Sequence, residues 1–402
     1  MKDEHLERAM VAVLKKLGFD PKTQYRMETY IEKVWISCIS RIVVEEQGDE
    51  GAVTLFVKTL PDLKRQEFFG SRLCFSNEIS LYTKVFTVFS DFQREKGIAE
   101  PIQFVPRCYF AECDGVNDIL ILEDLSPQGF SVPSYKQPLG LQNLRLLMQT
   151  LGKFHALSLA IKSVQPQRFR DIRAAVMEVM WISEVTEGSA NKYFNKIGSD
   201  IFELLVQEEG PDSEYALKLR DFTAHVPQNM QQLTQTDPSN EPWNVITHGD
   251  LWASNLLYRQ LPGSTELRFI DLQHSRYGSP ALDLSSVLFL SMDGPMRAEH
   301  GDTLLQLYHS TLCQFLTHLG VDPEQVFPFC KVEEQLKKFG RFGVGVSLFN
   351  LPHALYKGSQ QKSLEFDEII TVMEKEQNNL SPECRQRILD NLRDCVDRGY
   401  VA

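Results

Sequence analysis

The chain of 402 residues carries a net charge of −12, with 43% hydrophobic and 24% charged residues, the balance of a globular protein long enough for two or three structural units. No Lys/Arg block is long enough to form a counterion-releasing footprint on nucleic acid, and so acidic a chain is repelled by an anionic membrane surface. No apolar stretch approaches the ~20 residues that span a bilayer, and eight scattered cysteines with a charged start, Met1-Lys2-Asp3-Glu4-His5-Leu6-Glu7-Arg8, predict a reducing, cytoplasmic setting.

Residues 3 to 18 place Leu6, Met10, Val11, Val13, Leu14 and Leu17 at helical spacing and stop at Gly18. Val34 to Val44 is rich in β-branched residues, Gln47-Gly48-Asp49-Glu50-Gly51 is a turn signal, and Ala52 to Leu60 alternates; together they predict an antiparallel hairpin. Lys58 stands inside the second strand, where a charged side chain either faces water at an edge or has a partner. The candidate partner is Glu78, on a helix predicted to open at Phe75-Ser76-Asn77-Glu78-Ile79 and run to about Phe89. In kinase-like folds a strand lysine and a helix glutamate together hold nucleotide phosphates; the plainer reading is an edge lysine and a surface glutamate.

Arg107 to Cys113 and Asn117 to Glu123 predict two more strands around Asp114-Gly115, with Ile119-Leu120-Ile121-Leu122 buried on both faces. Glu123-Asp124-Leu125 then leaves the sheet. In a kinase-like fold the chain crosses between lobes at this point and backbone groups bind adenine, which assigns that work to the main chain of Glu123 and Leu125. The domain boundary falls here: residues 1–122 form a nucleotide-binding lobe and 123–402 a catalytic and acceptor-binding lobe.

Gly140 to Ile161 carries a wide apolar stripe, on which His155 reads as a core histidine. Residues 165–241 predict two or three amphipathic helices with breaks at Glu187-Gly188-Ser189 and Glu209-Gly210-Pro211-Asp212-Ser213, the place for acceptor-pocket walls. The densest chemistry follows. His248-Gly249-Asp250-Leu251 leaves the apolar run Trp243 to Thr247, Asn255 lies one loop on, and the strand Leu267 to Ile270 delivers Asp271 to the same cleft. These are the parts that move a phosphoryl group: Asp250 to accept the proton of an attacking hydroxyl, and Asn255 and Asp271 as hard oxygen ligands for magnesium on the nucleotide phosphates.

Past Asp271, His274 and Arg276 have two readings, facing phosphate or acceptor or lying in a solvated loop. Asp283 reads as the N-cap of the next helix, with a catalytic role second. Helices are predicted to fill the rest to Tyr400, with Pro323, Pro328 and Pro352 as breaks.

His248-Gly249-Asp250-Leu251-Trp252-Ala253-Ser254-Asn255-Leu256-Leu257 joined to the block Ile270 to Leu284 closely resembles the ecdysteroid kinase-like family, as do Leu120 to Phe130 and Phe75 to Tyr82. The resemblance spans about residues 20–350. It implies an α+β, two-lobed protein-kinase-like fold related to aminoglycoside and choline kinases, with a small antiparallel-sheet N-lobe and a larger, mainly helical C-lobe. It also implies ATP with Mg2+ and phosphorylation of a small-molecule hydroxyl, on ecdysteroids or other steroid-like and foreign compounds. One departure stands out: Met27 to Trp35 lacks glycine where the family has a short Gly/Asn turn, so a bulkier loop must approach phosphate. A small-molecule kinase is the first reading, and a pseudokinase holding nucleotide or a lipophilic ligand the second. A protein kinase is disfavoured by Gly249, which stands where an HRD arginine would be, and by the lack of a DFG-to-APE segment.

Overall fold

The structure, a computed structural model, describes residues 3–30, 36–44, 52–183, 189–356, 372, 375 and 378–401. Helix α1 (Asp3–Leu17) forms where its apolar spacing predicts. Its buried stripe, Leu6, Ala9, Met10, Val13 and Leu14, packs on Ile42, Val44, Leu55, Val57, Ile119 and Ile121, which form one face of a five-stranded antiparallel sheet. The strands β1 (Tyr25–Tyr30), β2 (Cys38–Val44), β3 (Val53–Thr59), β4 (Cys108–Glu112) and β5 (Ile119–Glu123) lie in the order β1-β2-β3-β5-β4. Because side chains alternate along a strand, Lys58 takes the opposite face together with its partners in register, Ile39 and Leu120.

The hairpin is shorter than the sequence pattern suggests, since β2 begins at Cys38; Val34, Trp35 and the turn 47–51 lie outside the described residues. Nor is the glycine-free segment a loop throughout. Tyr25–Tyr30 is a strand, paired with β2 from Tyr25↔Val44 to Tyr30↔Ile39, and 31–35 lie outside the described residues.

Helix α2 (Leu63–Phe69) is followed by α3 (Ser71–Ser80), a π-helical turn (Leu81–Val85) and α4 (Phe86–Glu95). The helix bearing Glu78 thus opens at Ser71 rather than Phe75. Gly70, left-handed at φ 63°, separates α2 from α3 and sets the start.

The second lobe is mainly helical. The long α5 (Leu141–Val164) is followed by α6 (Pro166–Arg173), α7 (Ser189–Glu209), α8 (Glu214–Ala224) and α9 (Val226–Thr234), so that among the described residues 165–241 already hold more helices than the two or three expected. The extra boundary comes at Pro227, which cannot continue α8 but suits the first turn of α9. Then come α10 (Ala281–Leu290), α11 (Gly294–His318), α12 (Pro323–Val326), α13 (Phe329–Phe339), α14 (Arg341–Leu355) and α15 (Pro382–Asp397). Pro323 and Pro328 do open helices. Pro352 breaks nothing: it lies inside α14, sacrificing one hydrogen bond to the Leu348 carbonyl while Leu351, Ala354 and Leu355 stay buried. Helices α5 and α11 approach so closely that a Cβ at Gly152 would sit 2.7 Å from the Tyr308 carbonyl oxygen. Among the described residues no helix is long and apolar enough to cross a membrane.

Four short strands position the polar centre. β6 (Val245–Ile246) pairs with β9 (Tyr277–Gly278), and β7 (Leu256–Leu261) with β8 (Ser264–Phe269). The apolar run at 243–247 yields only a two-residue strand because Pro238–Trp243 forms a 3-10 turn containing Pro242. An aromatic cluster fixes these strands to the core. The Phe154 ring centroid lies 5.6 Å from that of Phe104 and 5.8 Å from that of Phe269, whose own centroid lies 5.6 Å from that of His248. Phe269 precedes Ile270-Asp271, so core packing sets where Asp271 emerges.

Candidate active site

The loop from Thr247 to Asn255 joins β6 to β7, and its backbone is held from several directions. His248 is fully buried; its Nδ1 accepts from the Asp250 N–H (3.3 Å) and its Nε2 donates to the Ile270 carbonyl (3.1 Å). Burial lowers the pKa of this imidazole, which suits a neutral ring with one accepting and one donating nitrogen. The ring thereby ties the Asp250 segment to the strand that delivers Asp271.

Gly249 has φ 86°, and a Cβ there would lie 1.9 Å from the His274 carbonyl oxygen. Only glycine fits, for conformation and for space. Gly249→Ala is expected to lower both thermal midpoint and activity, with left-handed strain alone costing about 1–2 kcal/mol and the clash adding to it. A circular-dichroism melt beside an activity assay checks this, and an unchanged midpoint would contradict it.

Asp283 is not the N-cap of its helix. Pro280 occupies that position, and the Asp283 carboxylate points back to the loop, accepting from the His248 N–H (2.7 Å) and the Gly249 N–H (2.9 Å). His155 Nε2 sits 3.2 Å from the same carboxylate, and its Nδ1 lies 2.8 Å from the Tyr308 hydroxyl. His155 is a core histidine, as expected, but one that braces the loop through Asp283. Burial would raise the Asp283 pKa, yet the hydrogen bond and electrostatic pull of His155, with the Gly249 amide, outweigh it and hold it below the ordinary carboxylate value.

Asp250 and Asn255 come together as the spacing predicts. Asn255 Nδ2 donates to both the Asp250 carbonyl and its Oδ2, each at 2.9 Å, which fixes the amide and leaves Oδ1, with a Ser254 hydroxyl 3.3 Å away, as the oxygen for a cation. The Ile270 N–H donates to the Asn255 carbonyl (3.0 Å), placing Asp271 beside the pair. Asp271 has φ 62° and is the sole non-glycine residue with positive φ among the described residues. Such strain persists where surrounding contacts over-determine it, and it clusters at functional sites.

One such contact is Lys58. Its ammonium donates to both Glu78 carboxylate oxygens (2.9 Å each) and to Asp271 Oδ1 (2.8 Å). Neither Lys58 nor Glu78 is at an exposed edge; they are 6% and 1% exposed. Burial would depress the lysine pKa, but Asp271 and Glu78 carry it well above its usual value. Burial raises the Glu78 pKa against the pull of Lys58, whereas Asp271 is lowered because Lys58 outweighs its desolvation. The Leu272 N–H also donates to Glu78 Oε1 (3.3 Å), so α3 and the Asp271 segment share one polar knot. The donor set fits magnesium: Asp271 and Asn255 offer hard oxygens, and the Asp271 side chain is 31% exposed.

At the lobe crossing, the Glu123 N–H donates to the Arg107 carbonyl (2.8 Å), and the Leu125 carbonyl accepts from Gln128 (3.1 Å) and Phe130 (3.3 Å) N–H groups. Asp124 between them is buried and accepts from Arg41 Nε (2.6 Å).

Of the two loop residues left open, Arg276 is buried and His274 is half-buried beside Asp250. His274 Nδ1 lies 4.0 Å from Asp250 Oδ2. Arg276 is 2% exposed, donates from Nη1 to the Gly249 carbonyl (3.0 Å) and from Nε to Glu178. Neither Glu178 nor Asn77 carries a signal in its local sequence. Asn77 Nδ2 donates to the Gln273 (3.0 Å) and Ser275 (2.8 Å) carbonyls, and its Oδ1 accepts from Met177 N–H (3.0 Å). Beside them opens a cavity of about 540 Å³ walled by Val176, Glu178, Trp181, Gln231, Arg276 and Tyr277, with others.

A small twisted sheet with a lysine–helix glutamate pair, facing a helical lobe that presents Asp250, Asn255 and Asp271, is a two-lobed protein-kinase-like fold. Residues 33–321 match the model of the ecdysteroid kinase-like family, and the chain belongs to that family. Membership supports a small-molecule phosphotransferase. Among solved structures the chain is similar to an ethanolamine kinase of Plasmodium vivax, at 12% identity and a TM-score of 0.46, covering 95% of this chain and 90% of that one. It is also similar to a microcompartment-associated aminopropanol kinase, at 11% identity and a TM-score of 0.41, covering 98% of both chains. No curated protein matches the chain.

Proposed function

We propose that the protein transfers the γ-phosphoryl group of ATP to a hydroxyl of a small molecule of ecdysteroid, steroid-like or xenobiotic kind, with residues 1–122 binding nucleotide and 123–402 binding acceptor and carrying the catalytic loop. The observation that carries the reading is the convergence of Lys58 from a strand, Glu78 from a helix, Asp250 and Asn255 from one loop and Asp271 from the end of β8 into one hydrogen-bonded centre. Asp250 orients the acceptor hydroxyl and takes its proton; Lys58, held by Glu78, meets the nucleotide phosphates. Asn255 and Asp271 would hold Mg2+, which neutralises charge developing on the phosphates. At the lobe crossing the main chain of Glu123 and Leu125 would meet adenine, with the Glu123 N–H and the Leu125 carbonyl already spent internally.

The cavity supports the acceptor class. Its volume lies within the usual range for drug-sized ligands. Its carboxylate, Glu178, is consumed by Arg276 and by the Met180 (2.8 Å) and Trp181 (2.9 Å) N–H groups, so among the described residues the wall offers amide, hydroxyl and aromatic groups together with the Arg173 guanidinium. Transfer of labelled γ-phosphate from ATP to a panel of hydroxylated compounds, ecdysteroids included, tests the reading: a labelled product is expected from one class. The glycine-free 27–35 segment favours the second reading, a pseudokinase that binds nucleotide or a lipophilic ligand. Magnesium-dependent ATP binding with no product from any acceptor would select it.

A further inference from the structure

The side wall of the cavity and the catalytic loop meet at one ion pair. Glu178 uses Oε1 to cap the N–H groups of Met180 and Trp181, which fixes the turn forming the wall, and uses Oε2 to grip Arg276. Arg276 spans from there to the Gly249 carbonyl, one residue before Asp250, with its guanidinium 5.3 Å from the Phe342 ring centroid on α14. Its own carbonyl accepts from the Thr247 N–H (2.8 Å) and hydroxyl (3.1 Å). Both ends of Arg276 therefore hold the 247–249 backbone, and the tip also holds the wall. A second arm runs through Asn77, which binds the main chain of Met177, between the wall residues Val176 and Glu178, and sits next to Glu78 on α3.

We propose that the Glu178–Arg276 pair is a strut that transmits acceptor occupancy of the cavity to the catalytic loop, making Arg276 and Glu178 positioning residues for Asp250. An acceptor that orders the 177–181 wall tightens the strut at one end, and the Gly249 carbonyl, which sets the Asp250 backbone, is held at the other. Although Arg276 borders the cavity, it is 2% exposed and its guanidinium is engaged by Glu178 and the Gly249 carbonyl, so its action is on the loop. The planar fork makes three contacts in fixed directions, which a lysine would not reproduce. The catalytic half of this inference rests on the phosphotransfer reading; the mechanical half does not.

The test compares wild type with Glu178→Gln, Arg276→Lys and the cavity-wall control Thr236→Val, in the full chain. Glu178→Gln and Arg276→Lys are expected to lower kcat toward the acceptor by about 10- to 100-fold with acceptor KM changed less than about threefold, the signature of lost alignment. Thr236→Val should move acceptor KM alone. Affinity for a fluorescent ATP analogue should stay within about twofold in all three, because none of them touches the nucleotide residues. Hydrogen exchange at residues 249–252 should rise in Glu178→Gln and Arg276→Lys and not in the control. A rise in KM with kcat intact would reduce the pair to an ordinary pocket contact and overturn the strut. Unchanged exchange at 249–252 would do the same. If wild type phosphorylates no hydroxyl, the phosphotransfer reading fails by itself, and the exchange measurement still decides whether the pair holds the loop.

Discussion

Asp250→Asn is expected to abolish nearly all phosphoryl transfer while leaving the fold and the nucleotide site in place. The side chain is 23% exposed and makes its side-chain hydrogen bond as an acceptor from Asn255, which an asparagine oxygen can also provide. Removing the base while keeping the shape should lower kcat by about 10²- to 10⁴-fold, the usual worth of a positioned general base. Nucleotide affinity should hold, because Lys58 and Glu78 form their pair without Asp250. Steady-state transfer of labelled phosphate, beside titration with a fluorescent ATP analogue, separates the two effects. Retention of more than about a tenth of wild-type kcat would sink the assignment of Asp250 as base, since the remaining groups would then suffice.

What the sequence disclosed and what it hid divide along a physical line. His248, Asp250, Asn255 and Asp271 stand within one stretch of chain, and their spacing reflects a loop and a hairpin whose geometry is local. Lys58 and Glu78 were legible for a related reason: a charge in an apolar strand demands a partner, and the next helix supplies one. Residues that bind main-chain groups from elsewhere were not legible. Asn77 meets carbonyls nearly two hundred positions away, and Glu178 meets Arg276 98 positions along the chain. Such contacts leave no periodicity, and a carbonyl partner can belong to any residue type. Asp283 shows how a local rule fails. An aspartate after Gly-Ser-Pro-Ala-Leu invites a capping assignment, but Pro280 already sets the helix start, and the amides of His248 and Gly249 lie closer. The same holds for Pro352, whose helix continues because tertiary burial of its neighbours outweighs one lost hydrogen bond.

Asp283 is the residue whose loss should cost the most stability. Its carboxylate is 1% exposed, and three donors or ring nitrogens converge on it from α5 and from the catalytic loop. Asp283→Ala would strand two buried N–H groups and open a void against His155, for an expected loss of about 3–5 kcal/mol, the cost of breaking a buried, hydrogen-bonded charge. Asp283→Asn is milder and more diagnostic. Its oxygen can still accept from one loop amide, but its NH2 then faces the other, donor against donor, which predicts a loss of about 1–3 kcal/mol. The pH dependence follows from the lowered folded-state pKa of Asp283. A carboxylate depressed by folding contributes its full stability above its unfolded pKa, about 4, and loses it as pH falls through the folded value. The gap between wild type and Asp283→Asn should therefore be widest at neutral pH and close on the acid side. Urea unfolding at pH 7 and at successively lower pH measures it. A gap that stays constant across that range would mean the ionised carboxylate is not what holds the His248–Gly249 backbone, and that the loop owes its shape to Gly249, His248 and Arg276 alone.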